Sequence, residues 1–315
     1  MKKTLIAATA LASITGSMVM SETVGVSMAL FDDNFLTVLR NGMIETADGM
    51  DGVDLQVEDA QNDVAKQLDQ INNFIASGVD AIVVNAVDTS ATQAMTAAAE
   101  SAGVPLVYVN REPINVDTLP DNQAFVASNE IESGTLAAFQ GCRMLRAAGF
   151  AGGANIYIMV GELSNQAAVQ RTKDFHDVIG MDMCSFINIV DEQTANWSRD
   201  EAQDLMTNWL SAGEDFQAVF ANNDEMAIGA IQAMKASGIS MEDVIVTGVD
   251  ATQDALAAMQ SGDLDVTVFQ DAAGQGSGAL QAALDLAAGQ SVEQKVYIPF
   301  KLVTPANIDD YLSSN

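Results

Sequence analysis

Apolar and polar positions along this chain fall into blocks that switch between two spacings. Short apolar runs recur at 24–30, 55–58, 81–84, 106–109, 124–126, 156–160, 186–190, 218–220, 244–249 and 266–269. Between them lie longer stretches with the three-to-four-residue spacing of one-sided helices, among them 33–46, 64–77, 89–102, 130–148, 199–210, 224–237 and 251–261. Gly103 stops the third of these. Strands alternating with helices build parallel sheets covered on both faces. Two such series in succession predict an α/β protein of two similar doubly wound lobes. No low-complexity linker separates them, so short hinge strands should join them. The crevice between the lobes is then the natural ligand site.

In an open parallel sheet, ligands bind beyond the carboxyl ends of the strands. Asn222-Asn223-Asp224 follows the run at 218–220, and Gly248-Val249-Asp250 closes the run at 244–249. Asn223 and Asp250 should therefore point side by side into one crevice. An amide offers donors and an acceptor, whereas a carboxylate offers acceptors only. That mixture suits a neutral polyhydroxylated ligand better than a phosphate, which calls for glycine-rich backbone donors and cations. Asp224 reads as the cap of the helix it starts. Asp250 could cap 251–261 in the same way. Gly274-Gln275-Gly276-Ser277-Gly278 lacks the spacing of a phosphate loop and reads as close helix packing.

Composition narrows the function classes. The chain has 315 residues, 49% of them hydrophobic and 18% charged, enough for a large core in two domains. Thirteen Lys and Arg against 43 Asp and Glu give a formal charge of −30, which opposes nucleic-acid binding. No run of five like charges occurs, so the excess reads as a solvated surface. Lys2-Lys3, the apolar stretch 4–20, and small residues at Val19 and Ser21 form an export signal cleaved after Ser21. No cysteine follows to take a lipid, and no later stretch is long and apolar enough to span a bilayer. The mature chain is expected to be soluble in a bacterial periplasm. Cys142 and Cys184 are either a disulfide, as export allows, or two buried thiols. His176 is the only histidine and lies in a helical stretch, which removes Ser-His-Asp and Cys-His catalysis unless it serves alone. Asp48, Asp51 and Asp54 lack the alternating spacing of a calcium loop and read as a solvated turn. No metal and no cofactor is implied.

The strand ends carry a family resemblance. Phe31-Asp32-Asp33-Asn34-Phe35, Asp59-Ala60-Gln61-Asn62-Asp63, Val84-Asn85-Ala86-Val87-Asp88 and Val109-Asn110-Arg111-Glu112-Pro113 follow successive strands. Gln170-Arg171-Thr172, Asn222-Asn223-Asp224, Gly248-Val249-Asp250 and Phe269-Gln270-Asp271 complete the order. Across nearly the whole mature chain these motifs resemble the periplasmic sugar-binding proteins of ABC importers, in the ribose, galactose and inositol branch of the type I fold. The resemblance implies a three-segment hinge near Ser128, Gln270 and Lys301. One lobe would hold residues 22–127 and 270–301, and the other 128–269 and 302–315. It also implies a monomer whose partner is an ABC permease in the inner membrane.

Residue by residue, Asp33 matches a polar contact and Phe35 a stacking aromatic of the galactose binders. Asn110 and Arg111 match contacts after the fourth strand, Arg171 the cleft arginine of the second lobe, and Trp197 a second aromatic. Asn223, Asp250 and Gln270 match the rest of the hydrogen-bonding set. Aromatics cover the apolar faces of a sugar or cyclitol, and amides and charged groups satisfy its hydroxyls. Galactose binders carry a His and an Asp where this chain has Asn165 and Ala167. The run 161–168 and Asn110-Arg111-Glu112-Pro113 look more like the inositol and rhizopine branch. The resemblance therefore implies binding of myo-inositol or a related cyclitol, with ribose or another monosaccharide as the alternative. A repressor sharing this fold would need a basic helix-turn-helix where the export signal stands. An exported enzyme would need Asp33 and Asp250 as an acid/base pair.

Overall fold

Each apolar run becomes a strand and each one-sided stretch a helix. The structure, a computed structural model, describes residues 21–314. The segment 1–20 of the expected export signal and Asn315 lie outside the described residues.

In the first half the order is β1 (Glu22–Met28), α1 (Asn34–Asp48), β2 (Val53–Asp59), α2 (Val64–Ser77), β3 (Ala81–Val84), α3 (Thr92–Ala102), β4 (Leu106–Val109) and β5 (Gln123–Ala127). The second half runs through α4 (Glu130–Ala147), β6 (Ala154–Val160), α5 (Gln166–Ile179), β7 (Ile187–Thr194), α6 (Arg199–Ala212), β8 (Ala218–Ala221), α7 (Asp224–Ala236), β9 (Ile245–Thr247), α8 (Gln253–Gln260) and β10 (Thr267–Phe269). The chain then returns to the first half as α9 (Ala272–Ala287) and β11 (Lys295–Tyr297), and ends in the second with β12 (Lys301–Val303).

The first sheet has the order β11-β5-β4-β3-β1-β2, and all its pairs are parallel. The second has the order β7-β6-β8-β9, also parallel. Strands β3, β4 and β5 are buried along their whole length, because helices cover both faces of such a sheet. β10 and β12 pair antiparallel beside the crossings. The strand order reverses around β1 and β3 in one sheet and around β6 and β8 in the other. Those switch points are where ligand crevices form.

Differences from the sequence reading have local causes. The run 244–249 is a regular strand only over Ile245–Thr247; beyond it the Gly248 and Asp250 amides still donate to the Val266 and Val268 carbonyls at isolated bridges. Helix α8 starts at Gln253 rather than 251, because Ala251 has φ +52° and Thr252 supplies the cap. The stretch from 89 opens with a 3₁₀ turn at Thr89–Ala91 before α3 proper. Gly276 faces the Leu39 carbonyl so closely that a Cβ would collide with it, and a Cβ on Gly42 would fall 2.7 Å from the Ala273 Cα. Gly276, with Gly42 on the facing helix, thus lets α9 press onto α1, as the packing reading expects. Cys142 and Cys184 are bonded to each other, with Cα atoms 5.8 Å apart, so the two-thiol alternative falls.

Candidate functional site

Helix starts and strand ends from both sheets converge on one cavity. The turn between β1 and α1 contributes Asp33, Phe35 and Leu36, and the chain after β4 contributes Asn110 and Arg111. From the second half come Asn165, Ala167 and Arg171 around the start of α5, Trp197 ahead of α6, Asn223 ahead of α7, and Asp250 after β9. Gln270 enters from the crossing after β10. All ten residues singled out from the sequence line this cavity. Leu36 and Ala167 are additions: Leu36 is indistinguishable in sequence from a core residue of α1, and Ala167 offers no polar signal.

Three of the polar residues divide their groups between a helix end and the cavity wall. The Leu36 amide donates to Asp33 Oδ1 (2.7 Å), the Ala167 amide to Asn165 Oδ1 (3.0 Å), and the Met226 amide to Asn223 Oδ1 (3.0 Å). Each is the N-cap of its helix, where the first amides otherwise lack partners. This corrects two sequence readings. Asn223, not Asp224, caps α7. Thr252, not Asp250, caps α8. Capping fixes these side chains to rigid elements and leaves one carboxylate oxygen of Asp33 and the amide nitrogen of Asn165 for other partners, while the Asn223 amide nitrogen reaches the Trp197 carbonyl (3.5 Å).

Two buried arginines carry the positive charge. Arg171 donates through Nε and Nη2 to Glu130 (2.8 and 3.1 Å), through Nη1 to the Asn222 carbonyl (2.8 Å), and through Nη2 to Gln270 Oε1 (3.0 Å). Its Nη1 is also 3.7 Å from Asp250. Arg111 donates to the carbonyls of Ala86 and Val87 (3.0 and 3.3 Å) and faces Glu162 at 4.0 Å. Burial lowers the pKa of Arg111, against the attraction of Glu162 and Asp33. Burial also opposes the charge on Arg171, but Glu130 and Asp250 more than offset it and its pKa rises. Burial raises the pKa of Asp33. Burial raises Asp250 well above the usual carboxylate range, with Arg171 pulling the other way.

The aromatics frame these groups. Phe35 is buried at the start of α1. Trp197 has φ +64° and sits with the Arg171 guanidinium 5.6 Å from its ring. Gly161 makes room for it, since a Cβ there would fall on the indole. Asn110, with φ +66°, is held between Asn85 (3.3 Å) and Gln275 (3.2 Å).

The two halves are drawn together over the cavity. Asn34 Nδ2 donates to Glu225 (2.8 Å), Asn62 Nδ2 to Glu162 (3.0 Å), and the Thr89 amide to the Ser164 carbonyl (3.0 Å). His176 pairs with Glu192 at 2.6 Å on the exposed face of α5 and takes no part in the cavity. No helix among the described residues is long and apolar enough to cross a membrane.

The periplasmic binding protein domain matches residues 24–291. The chain is 60% identical over all 315 residues to a candidate rhizopine-binding protein of Rhizobium meliloti, covering 100% of both. It is 34% identical to the ribose import binding protein of Bacillus subtilis, over 90% of this chain and 87% of that one. Among solved structures it is similar to an ABC transporter solute-binding protein from Bacillus halodurans with bound myo-inositol. The TM-score is 0.86 and the identity 40%, covering 95% of this chain and 99% of that one.

Proposed function

The chain belongs to the periplasmic binding protein domain family, and from that premise we propose that it is the solute-binding component of an ABC importer, taking a cyclitol of the myo-inositol type. The observation that carries the reading is the cavity itself. Polar groups enter it from both halves, and a cyclitol has hydroxyls around its whole ring and no anomeric centre. Asp33, Asn110 and Arg111 meet one arc of hydroxyls. Asn165, Arg171, Asn223, Asp250 and Gln270 meet the rest. Phe35 and Trp197 cover the apolar faces of the ring. The rhizopine and myo-inositol names of two similar proteins support this class over a pentose.

In this reading the lobes are 22–127 with 270–301, and 128–269 with 302–315. Ligand docks on one lobe and the other swings in about the three crossings, excluding water. The contacts of Asn34 with Glu225 and Asn62 with Glu162 are made only on closure. The loaded protein then meets an inner-membrane permease in the periplasm and releases the ligand chemically unchanged. Asp33 and Asp250 serve as acceptors, not as an acid/base pair: the one is tied to the start of α1 and the other lies beside Arg171.

Native mass spectrometry of protein purified from its own periplasm tests the reading. A retained mass equal to a cyclitol is the expected result. A retained pentose or hexose would overturn it, and so would turnover of the cyclitol on incubation.

A further inference from the structure

Asp250 is held in a backbone conformation that side chains rarely adopt. Its φ is +123°, and that of Ala251 is +52°. Two consecutive non-glycine residues at positive φ persist only when the surroundings impose them. The neighbourhood of this turn shows what does so. Asp224 is fully buried beneath it and does not line the cavity. Its Oδ2 accepts from the Thr252 amide (3.0 Å), and its Oδ1 accepts from the Thr267 hydroxyl (2.7 Å). The same hydroxyl oxygen accepts from the Ala251 amide (3.1 Å). The Asp224 amide donates to the Val249 carbonyl at 2.8 Å. Gly248 carries no side chain where a Cβ would run into the carboxylate.

We propose that Asp224 and Thr267 are positioning residues for the ligand site: together they clamp residues 249–252 and so aim the Asp250 carboxylate at the bound solute. The pair ties three successive peptide units of the turn to the starts of α7 and β10, which are rigid elements. The Asp250 amide and carbonyl are held separately, by the Val268 carbonyl (2.8 Å) and the Gln270 amide (3.3 Å); without the clamp the 250–251 and 251–252 peptide units reorient, the turn relaxes to negative φ, and the Asp250 side chain swings away from Arg171 and the cavity. The affinity part of this inference rests on Asp250 being a ligand acceptor. The geometric part does not.

The test uses the full mature protein and three variants. Thr267→Val keeps the shape but removes both the donor to Asp224 and the acceptor for Ala251. Asp224→Ala removes the carboxylate, and Asp224→Asn retains an oxygen for the Thr252 amide. Crystal structures without ligand give the first readout. Residues 250 and 251 are expected to leave positive φ in Thr267→Val, and an unchanged turn would overturn the proposal. Calorimetry with myo-inositol gives the second. Asp224→Ala and Thr267→Val should weaken binding at least tenfold, with Asp224→Asn in between. In an Asp250→Asn background, Thr267→Val should add less than a twofold loss, because its effect runs through Asp250. An equal loss in both backgrounds would overturn the proposal. Failure of the wild-type protein to bind myo-inositol would count against the cyclitol reading alone, and the crystal structures would still decide the clamp.

Discussion

Arg171→Ala should cost this protein much of its stability as well as its ligand. The guanidinium and Glu130 are only 4% and 5% exposed, and they meet through two hydrogen bonds. Truncating one member of a buried pair strands the other charge, at about 3–5 kcal/mol. The Asn222 carbonyl and Gln270 Oε1 lose a donor too, each worth about 0.5–1.5 kcal/mol. These terms overlap, so the expected total is about 4–6 kcal/mol, or a melting shift of roughly 8–24 °C at about 2–4 °C per kcal/mol. Urea denaturation of the ligand-free protein measures it directly. The control is the double variant Glu130→Leu with Arg171→Met, which replaces the ion pair by apolar contact. It should recover at least half of the lost stability, yet bind myo-inositol more than tenfold more weakly than wild type. A loss below about 1 kcal/mol in Arg171→Ala would refute the picture of a strap buried among the protein's own acceptors. Wild-type affinity in the double variant would remove Arg171 from the ligand site.

Other consequences follow from the same geometry. Trp197 fluorescence should respond to ligand, while Trp209 should stay silent, because it stacks on Tyr157 at 4.4 Å with its Nε1 bonded to Asp191; a response that survives Trp197→Phe and vanishes in Trp209→Phe would reverse the assignment. The disulfide closes a separation of 42 residues, so the Cys142→Ala, Cys184→Ala variant should lose about 4 kcal/mol by the loop-entropy relation with ligand affinity within twofold, since neither residue lines the cavity; an unchanged melting temperature would contradict this. Burial pushes Asp174 up to about 6, above its unfolded value near 3.9, so the folded state binds that proton more tightly and stability falls as pH rises from about 4 through about 6. Asp174→Asn should therefore stabilise the protein at pH 7.5, by about 1–2 kcal/mol once solvent screening is allowed for, and do nothing near pH 4; an equal effect at both pH values would exclude the titration.

Much of the fold was legible because strand and helix here differ in length as well as period. The runs at 81–84 and 106–109 and the helix at 64–77 agree with the structure residue for residue. The short strands β11 and β12 escaped notice: Lys295–Tyr297 and Lys301–Val303 are three residues each, too few to show a period, and they form only because neighbouring strands offer an edge. Asn223 and Asp250 could be placed in the cavity wall from their positions at strand ends, and its other members came from the family resemblance. What the residues do there was less visible. A capping side chain and a cavity-lining one share the same types, so the cap was assigned to Asp224, whereas Asn223 both caps α7 and lines the cavity. Glu130 gave no signal at all, since an acid in the first turn of a helix is ordinary, and only the fold shows Arg171 lying across it. The turn at Asp250 was equally hidden, because its conformation is imposed by Asp224 and Thr267 from 26 and 17 residues away in the chain.

The central claim is that this cleft is built for a cyclitol, and isothermal titration of the ligand-stripped protein with myo-inositol, ribose and galactose tests it most directly. A site made to hydrogen-bond every hydroxyl of one ring rejects analogues that leave its buried groups unpaired, often by several kcal/mol. Saturable one-to-one binding of myo-inositol, at least a hundredfold tighter than of either sugar, is the predicted result. Tight binding of ribose or galactose with no heat from any inositol isomer would contradict it.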